Sequence, residues 1–108
     1  MKYTKSHQWI DAHGDIAIIG LSEKAQKELG EIVYLDLPKV GTEVKKEEAI
    51  VVLESTKAAV DIYAPLSGKV IKVNQELLKD PEKINSLPEK EKWLYQISMQ
   101  DLKELEMF

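Results

Sequence analysis

The segment VVLESTKAAVDIYAP, residues 51–65, contains two runs with the composition of β-strands on either side of a single lysine. The runs AIVVLE and AVDIYAP are rich in β-branched residues, and Pro65 closes the second run. This pattern predicts a hairpin with Lys57 at its tip. Because Thr56 and Ala58 are small, little would crowd the lysine amine on such a tip.

The chain before this hairpin predicts one short helix and two strands. DIAIIGL is a strand pattern, and SEKAQKELG predicts a helix that Ser22 caps and Gly30 ends. EIVYLDLP then predicts a strand with Val33, Leu35 and Leu37 on one face. The following KVGTEVKKEE indicates a polar turn region.

After the hairpin, LSGKVIKVN and KWLYQISM predict two further strands. KDPEKIN predicts a one-turn helix with Asp80 as its cap and Pro81 at its first position. The tail DLKELEMF predicts a short amphipathic helix with Leu102, Leu105 and Phe108 on one side. Short strands with frequent turns favour an all-β barrel or sandwich.

Composition excludes several classes of function. The 108 residues predict one domain, residues 1–108, with a net charge of −4. All fifteen basic residues are lysine, which argues against nucleic-acid recognition because arginine is the preferred residue for that task. Since the chain has no cysteine, disulfides and cysteine-ligated metals are excluded. No apolar run approaches the length of a membrane span, so we expect a cytoplasmic protein with no membrane contact.

From its pattern alone, Lys57 is most simply a solvated turn residue. A covalent carrier, however, needs an amine that projects from a rigid scaffold, and a tight hairpin supplies one. Glu54 and Asp61 bracket this lysine and would serve a partner enzyme as a charge landmark, or merely keep a strand edge soluble. His7 and His13 are separated by loop-like residues and indicate local hydrogen bonding rather than metal binding.

Several segments resemble the H proteins of the glycine cleavage system. ESTKAAVDIYAPLSGKVIKVN resembles their lipoyl-attachment segment, and YTKSHQW resembles their N-terminal segment. IGLSEKAQKELGEIVYLDLPKVGTEV and INSLPEKEKWLYQI resemble two more of their segments, in the same order. Biotinyl domains have the same fold but carry Met-Lys-Met at the turn, so the Thr-Lys-Ala sequence here favours lipoate.

The resemblance implies a mainly β barrel-sandwich hybrid with a few short helices and with lipoate attached to Lys57. It implies a carrier rather than an enzyme, with Glu54, Ser55, Asp61 and Gln8 as supporting or recognition residues. The implied partners are a pyridoxal-phosphate glycine decarboxylase, a tetrahydrofolate-dependent aminomethyltransferase, dihydrolipoyl dehydrogenase and a lipoate ligase or lipoyl/octanoyl transferase. A monomer is expected, because each partner must reach the arm.

Three positions depart from the family pattern. The family usually has glutamate where this chain has Gln8, and that carboxylate helps to hold the amine of the loaded arm. Val60 replaces the usual serine, and PEKEK lacks the family's tyrosine and glycine before Trp93. The C-terminal helix is also short. These departures leave a second hypothesis open, in which an H-like protein donates lipoyl groups to the acyltransferases of 2-oxoacid dehydrogenases or is a regulatory modification target.

Overall fold

The computed structural model describes residues 1–5 and 8–108, which form two β-sheets around one apolar core. The strands are, in chain order, Lys2–Tyr3 (β1), Gln8–His13 (β2), Ile16–Leu21 (β3), Ile32–Asp36 (β4), Glu43–Val44 (β5), Ala49–Ser55 (β6), Ala59–Tyr63 (β7), Gly68–Val73 (β8) and Trp93–Met99 (β9). The helices are Glu23–Leu29 (α1), Gln75–Lys79 (α2) and three 3-10 helices, Pro81–Ser86, Glu89–Glu91 and Leu102–Met107.

The two sheets divide the molecule into a larger scaffold and a smaller layer that contains the hairpin. The larger sheet has the strand order β1-β2-β3-β9-β8-β5, and the smaller has the order β4-β6-β7. Neighbouring strands in both sheets are antiparallel. Strands β6 and β7 form the predicted hairpin, with Lys57 in the connection between them.

Alternating side chains of both sheets meet in a single core. The larger sheet contributes side chains such as Ile19 and Ile97, and the smaller contributes Leu35, Leu53 and Ile62. These five side chains are at most 5% exposed, and full burial of one such side chain is worth about 1.5–3 kcal/mol. The hairpin is therefore anchored to the core along its inner face, while its outer face stays open to solvent.

The predicted helix after Ser22 is confirmed, but the predicted face of the following strand is partly wrong. The Ser22 hydroxyl accepts a hydrogen bond from the Ala25 amide, and α1 ends at Gly30. In β4, Leu35 is buried as predicted, whereas Val33 is exposed. A register irregularity between Ile32 and Tyr34 inserts an extra residue, which breaks the two-residue alternation and turns Val33 outwards.

Near the C-terminus, the structure adds elements that the sequence pattern did not predict. Asp80 precedes a 3-10 helix that has Pro81 at its first position, but the Asp80 side chain makes no capping hydrogen bond. Helix α2 comes just before it and was not predicted; its cap is Asn74. In the tail, Leu105 packs against the core, as predicted for the apolar side, while Leu102 is exposed. None of the helices in the described ranges is long and apolar enough to cross a membrane.

The segment PEKEK fixes the N-terminal strands through one glutamate. The Glu89 backbone carbonyl accepts a hydrogen bond from the Trp9 indole at 3.0 Å. Its carboxylate accepts from the Glu23 amide at 2.8 Å and from the Tyr3 hydroxyl at 2.7 Å. These hydrogen bonds, first that from the Glu23 amide, lower the pKa of the Glu89 carboxyl. One departure from the family pattern thus has a structural role in this chain.

The buried hydroxyl of Tyr95 allows a mutational test of what this polar group contributes to the stability of the core. Tyr95 is 0% exposed, burial raises its pKa, and the hydroxyl has no hydrogen-bond partner among the described residues. Because Tyr95→Phe removes a buried polar group without breaking a hydrogen bond, we expect the free energy of unfolding to be unchanged or to rise by up to about 1 kcal/mol. Urea denaturation measures it, with the exposed Tyr34→Phe as control. A loss above about 1 kcal/mol would show that an ordered water satisfies the hydroxyl.

Candidate functional site

The tip of the β6–β7 hairpin is a tight turn without glycine. Glu54 pairs with Ala59, and the Ser55 amide donates to the Ala58 carbonyl at 2.8 Å, so only Thr56 and Lys57 remain in the loop. Two-residue hairpin loops usually need residues with positive φ. Among the described non-glycine residues only one, outside this loop, has a positive φ, so the tip must be stabilised in another way.

The Ser55 side chain provides that stabilisation. Its hydroxyl oxygen accepts hydrogen bonds from the Lys57 and Ala58 amides, both at 3.1 Å. The same hydroxyl donates to the Ala58 carbonyl at 3.2 Å. Serine hydroxyls often substitute for backbone partners in this way at turns. Ser55 therefore fixes the backbone amide of Lys57 directly, which gives a physical role to one of the residues singled out in the sequence.

The Lys57 side chain leaves this turn along the end of α1. A Cβ atom built on Gly30 would lie 3.4 Å from Cε of Lys57 and 3.9 Å from its Nζ. Gly30 has φ +80° and ψ −151°, a conformation that only glycine adopts readily. The lysine stem thus lies beside bare backbone, while the residue remains exposed and its amine has no ion-pair partner among the described residues.

A second set of contacts fixes the strand that flanks the tip. The Thr56 amide donates to the Glu31 carbonyl at 3.0 Å, which ties the tip to the segment between α1 and β4. The adjacent Ile32 is held by Asn85, whose side-chain amide bonds both the amide and the carbonyl of Ile32, each at 2.9 Å. Asn85 therefore acts as a short substitute strand on the free edge of β4. We use the name Asn85 clamp for these three hydrogen bonds, the one between Thr56 and Glu31 and the two between Asn85 and Ile32.

Helix α1 and a buried lysine support the clamp from behind. The Gln26 side-chain amide donates to the Asn85 side-chain oxygen and to the Gly30 carbonyl, both at 2.9 Å. The Gln26 side-chain oxygen in turn accepts from Nζ of Lys92 at 3.3 Å. The Lys92 side chain is 3% exposed and pairs with Glu23 at 3.3 Å. The amide nitrogen of Gln26 thereby contacts both Gly30 and Asn85, while Lys92 holds its oxygen.

The two bracketing carboxylates lie on the outer face of the hairpin. Glu54 is exposed at the end of β6, one residue before Ser55, and Asp61 is exposed in β7. Neither side chain forms an ion pair within the described part of the chain. Both are thus accessible to a partner from the same side of the hairpin.

The comparisons with known proteins agree over the whole chain. The family model for the glycine cleavage H-protein matches residues 1–108. The chain belongs to this family. It is 50% identical to a glycine cleavage system H protein of Thermotoga maritima, over 97% of this chain and 85% of that one. It is 47% identical to the corresponding protein of Halothermothrix orenii, over 98% and 83% of the two chains.

A solved H-protein structure shows the same fold. The crystal structure of a glycine cleavage system H protein from Mycobacterium marinum superposes with a TM-score of 0.83 at 35% identity, covering 91% of this chain and 82% of that one. The predicted mainly β barrel-sandwich hybrid with short helices is therefore confirmed. The family to which this chain belongs is thus named as a component of the glycine cleavage system.

At the position where H proteins usually have glutamate, Gln8 makes a structural contact. Its side chain is 0% exposed, and its amide nitrogen donates to the Tyr63 carbonyl at 2.8 Å. This contact joins β2 of the larger sheet to the end of β7. Tyr63 also lines an open groove of about 800 Å³ together with residues such as Thr4, Pro65 and Phe108. Gln8 therefore lies beneath one end of the hairpin layer, where a carboxylate could not make the same donor contact.

The remaining residues singled out in the sequence lie away from the amine. Val60 pairs with Leu53 and packs against the core, so it changes inner packing rather than the outer face. His13 is exposed and lies 3.0 Å from the Asp11 carboxylate. His7 lies outside the described residues. No cluster of three potential metal ligands occurs within residues 1–5 and 8–108.

The sequence pattern did not predict the Asn85 clamp or its support by Gln26, although Gln26 and Asn85 lie in the quoted segments SEKAQKELG and INSLPEKEKWLYQI. The spacing of the two amides does not suggest that they contact each other, because Gln26 and Asn85 are 59 positions apart. The one feature of the sequence that hints at this contact is the presence of a side-chain amide in each of two segments that are otherwise mostly charged or apolar.

We predict that Asn85→Ala loosens the tip in addition to destabilising the fold. Loss of three hydrogen bonds, which leaves the backbone of Ile32 without partners, should cost about 1–3 kcal/mol. Hydrogen exchange should then be faster at the Thr56 amide, because the Glu31 carbonyl that binds it is no longer fixed. The measurement is exchange followed by NMR at residue resolution.

Asn74→Ala is the matched control, since Asn74 caps α2 and bonds the Trp93 carbonyl, away from the hairpin. It should lower the free energy of unfolding while exchange at the tip stays as in the parent chain. Equal acceleration at Thr56 in both variants would contradict a specific role of the clamp.

We also predict that Gln8→Glu destabilises this chain. A carboxylate cannot donate to the Tyr63 carbonyl and would be buried, so the expected cost is about 1–3 kcal/mol at neutral pH. Urea denaturation measures this cost, and the exposed Gln100→Glu is the control for the change of charge. An unaltered midpoint in Gln8→Glu would mean that the contact with β7 contributes nothing.

Proposed function

We propose that this chain carries lipoate, amide-linked to Nζ of Lys57, and shuttles the aminomethyl group of glycine during glycine cleavage. Its partners would be a pyridoxal-phosphate glycine decarboxylase, a tetrahydrofolate-dependent aminomethyltransferase and dihydrolipoyl dehydrogenase, with a lipoate ligase or lipoyl/octanoyl transferase attaching the group. Family membership supports the pathway. The observation that supports the residue is an exposed lysine on a glycine-free hairpin tip, fixed by side-chain hydrogen bonds.

The residues around Lys57 fit an attached arm. The backbone of Gly30 leaves open space beside the lysine stem that a Cβ would fill, and the neighbours Thr56 and Ala58 are small. Amide formation at this amine would break no ion pair among the described residues. Attachment would change the net charge of the chain from −4 to −5, because the amide is neutral.

The chain itself would contribute position rather than chemistry. When attached, lipoate supplies a disulfide that accepts the aminomethyl group and is later regenerated by oxidation. Ser55 and the Asn85 clamp hold the base of the arm, so that the group is presented from one fixed point to each partner. Tethering replaces diffusion of a free intermediate with a high local concentration at each active site.

Incubation with a bacterial lipoate ligase, ATP and lipoate tests the attachment site. We expect intact mass spectrometry to show one lipoyl group per chain and peptide mapping to place it on Lys57. Lys57→Arg should remain unmodified because arginine cannot form this amide. Lys39→Arg is the control, since Lys39 is also an exposed turn lysine but lies away from the hairpin tip. Modification of another lysine in the Lys57→Arg variant would contradict the assignment.

The lipoylated chain then separates glycine cleavage from the alternative of lipoyl relay. With a purified glycine decarboxylase, it should support exchange of bicarbonate into the carboxyl group of glycine, and the unmodified chain should not. Lipoyl transfer to the acyltransferase domain of a 2-oxoacid dehydrogenase is measured in parallel. Efficient transfer without any glycine exchange would favour the relay function over the shuttle.

A further inference from the structure

The charges of this chain are distributed unevenly between its two sheets. Strands β4, β6 and β7 together contain three carboxylates, Asp36, Glu54 and Asp61, and none of the fifteen lysines. The strands of the larger sheet carry both signs, with lysines in β1 and β8. The one lysine of the hairpin, residues 49–63, is Lys57 at its tip. The smaller sheet is therefore a uniformly acidic layer.

The three carboxylates point outwards in a regular arrangement. In the strand register, Val52 lies between Asp36 on one side and Asp61 on the other. One step closer to the tip, Glu54 lies opposite Tyr34. None of the three carboxylates has an ion pair or a side-chain hydrogen bond within the described ranges. Because no cation within residues 1–5 and 8–108 forms an ion pair with this row, its electric field extends into solvent.

Apolar surface lies between these charges. Tyr34 is 46% exposed and Tyr63 is 48% exposed, and the half-buried Val52 faces the same side. Exposed tyrosines supply large contact area at a small cost in side-chain entropy, and they are common at the centres of interfaces. We name this surface, formed by Tyr34, Asp36, Val52, Glu54, Asp61 and Tyr63, the outer hairpin face.

We propose that the outer hairpin face docks the chain onto an enzyme that presents basic residues around an apolar depression. This proposal rests on the proposed function, because it takes the occupant to be an enzyme that acts on the Lys57 arm. Charge complementarity selects that occupant: the face has three unpaired carboxylates and no lysine within its strands. A second copy of this chain would bring the same carboxylates together and be repelled.

The position and size of the face suit a carrier that must leave each partner. Strand neighbours are about 4.8 Å apart and alternate residues about 6.7 Å apart, so three strands offer only a small patch. Small interfaces, below about 1,200 Å² in total, are typical of transient encounters. Because the face ends at Glu54, next to the Ser55 turn, a partner bound there has the arm at the edge of its contact surface.

Binding of the unmodified chain to a purified bacterial pyridoxal-phosphate glycine decarboxylase tests the proposal without depending on the cargo. Surface plasmon resonance should show binding that weakens as the salt concentration rises, since the attraction is screened. Tyr34→Ala and Asp36→Lys should each weaken binding by about tenfold or more, as expected for a central anchor and a reversed charge. Both residues lie on the edge strand β4, where lysine is well tolerated. Circular dichroism is the check that both variants fold.

Two variants on the larger sheet serve as matched controls. Ile71→Ala removes an apolar side chain with 39% exposure from β8, and Asp15→Lys reverses an exposed charge in the turn after β2. Both should bind as tightly as the parent chain. Unchanged affinity in Tyr34→Ala and Asp36→Lys, no binding by the parent chain, or self-association that blocks the face would each overturn the docking proposal.

The outcomes remain separable from those of the proposed function. If Lys57 is lipoylated and glycine exchange proceeds with an unchanged KM in both β4 variants, the shuttle stands and the outer hairpin face is not the docking surface. If another lysine is lipoylated while the β4 variants still lose affinity, the docking proposal stands and the assignment of Lys57 fails. In lipoylated protein, a true docking defect should raise KM with little change in kcat.

Discussion

The hydrogen bonds between the Asn85 side-chain amide and the backbone of Ile32 are the constraint on which the site depends. They occupy the free edge at the start of β4 as a neighbouring strand would, and both are 2.9 Å long. The adjacent Glu31 carbonyl is thereby placed to receive the Thr56 amide. A contact between two residues that are 53 positions apart in sequence, Ile32 and Asn85, thus determines the path of the hairpin tip. Ser55 then needs to organise only the last turn.

The three departures from the family pattern have different physical consequences. Glu89, within PEKEK, accepts three hydrogen bonds and fastens the N-terminal strands, so this change is structural. Val60 adds apolar area on the inner side of the hairpin. Gln8 alone lies near both the hairpin layer and the groove beside it, where its amide holds the Tyr63 carbonyl. Differences in how the arm is handled are therefore expected at Gln8 rather than at the other two positions.

Local patterns predicted what depends on local physics. Alternation and β-branched residues predicted the hairpin around Lys57, and Ser22 with Gly30 bounded α1 correctly, because caps and strand periods act within a few residues. The outward turn of Val33 was not predictable, since it follows from a register irregularity against β6. The roles of Gln26 and Asn85 likewise depend on contacts between distant segments. The fold class and family were therefore available from sequence, whereas the support beneath the lysine required the structure.

The absence of lysine from the strands of the smaller sheet has a consequence for how other proteins recognise the chain. Between Ala49 and Tyr63 the only cation is the amine of Lys57, set against Glu54 and Asp61. Formation of an amide there would double the net negative charge of the hairpin, from −1 to −2. The surface around Lys57 would then be more negative after attachment than before it. A partner with a basic surface would therefore bind the modified chain more tightly than the unmodified chain.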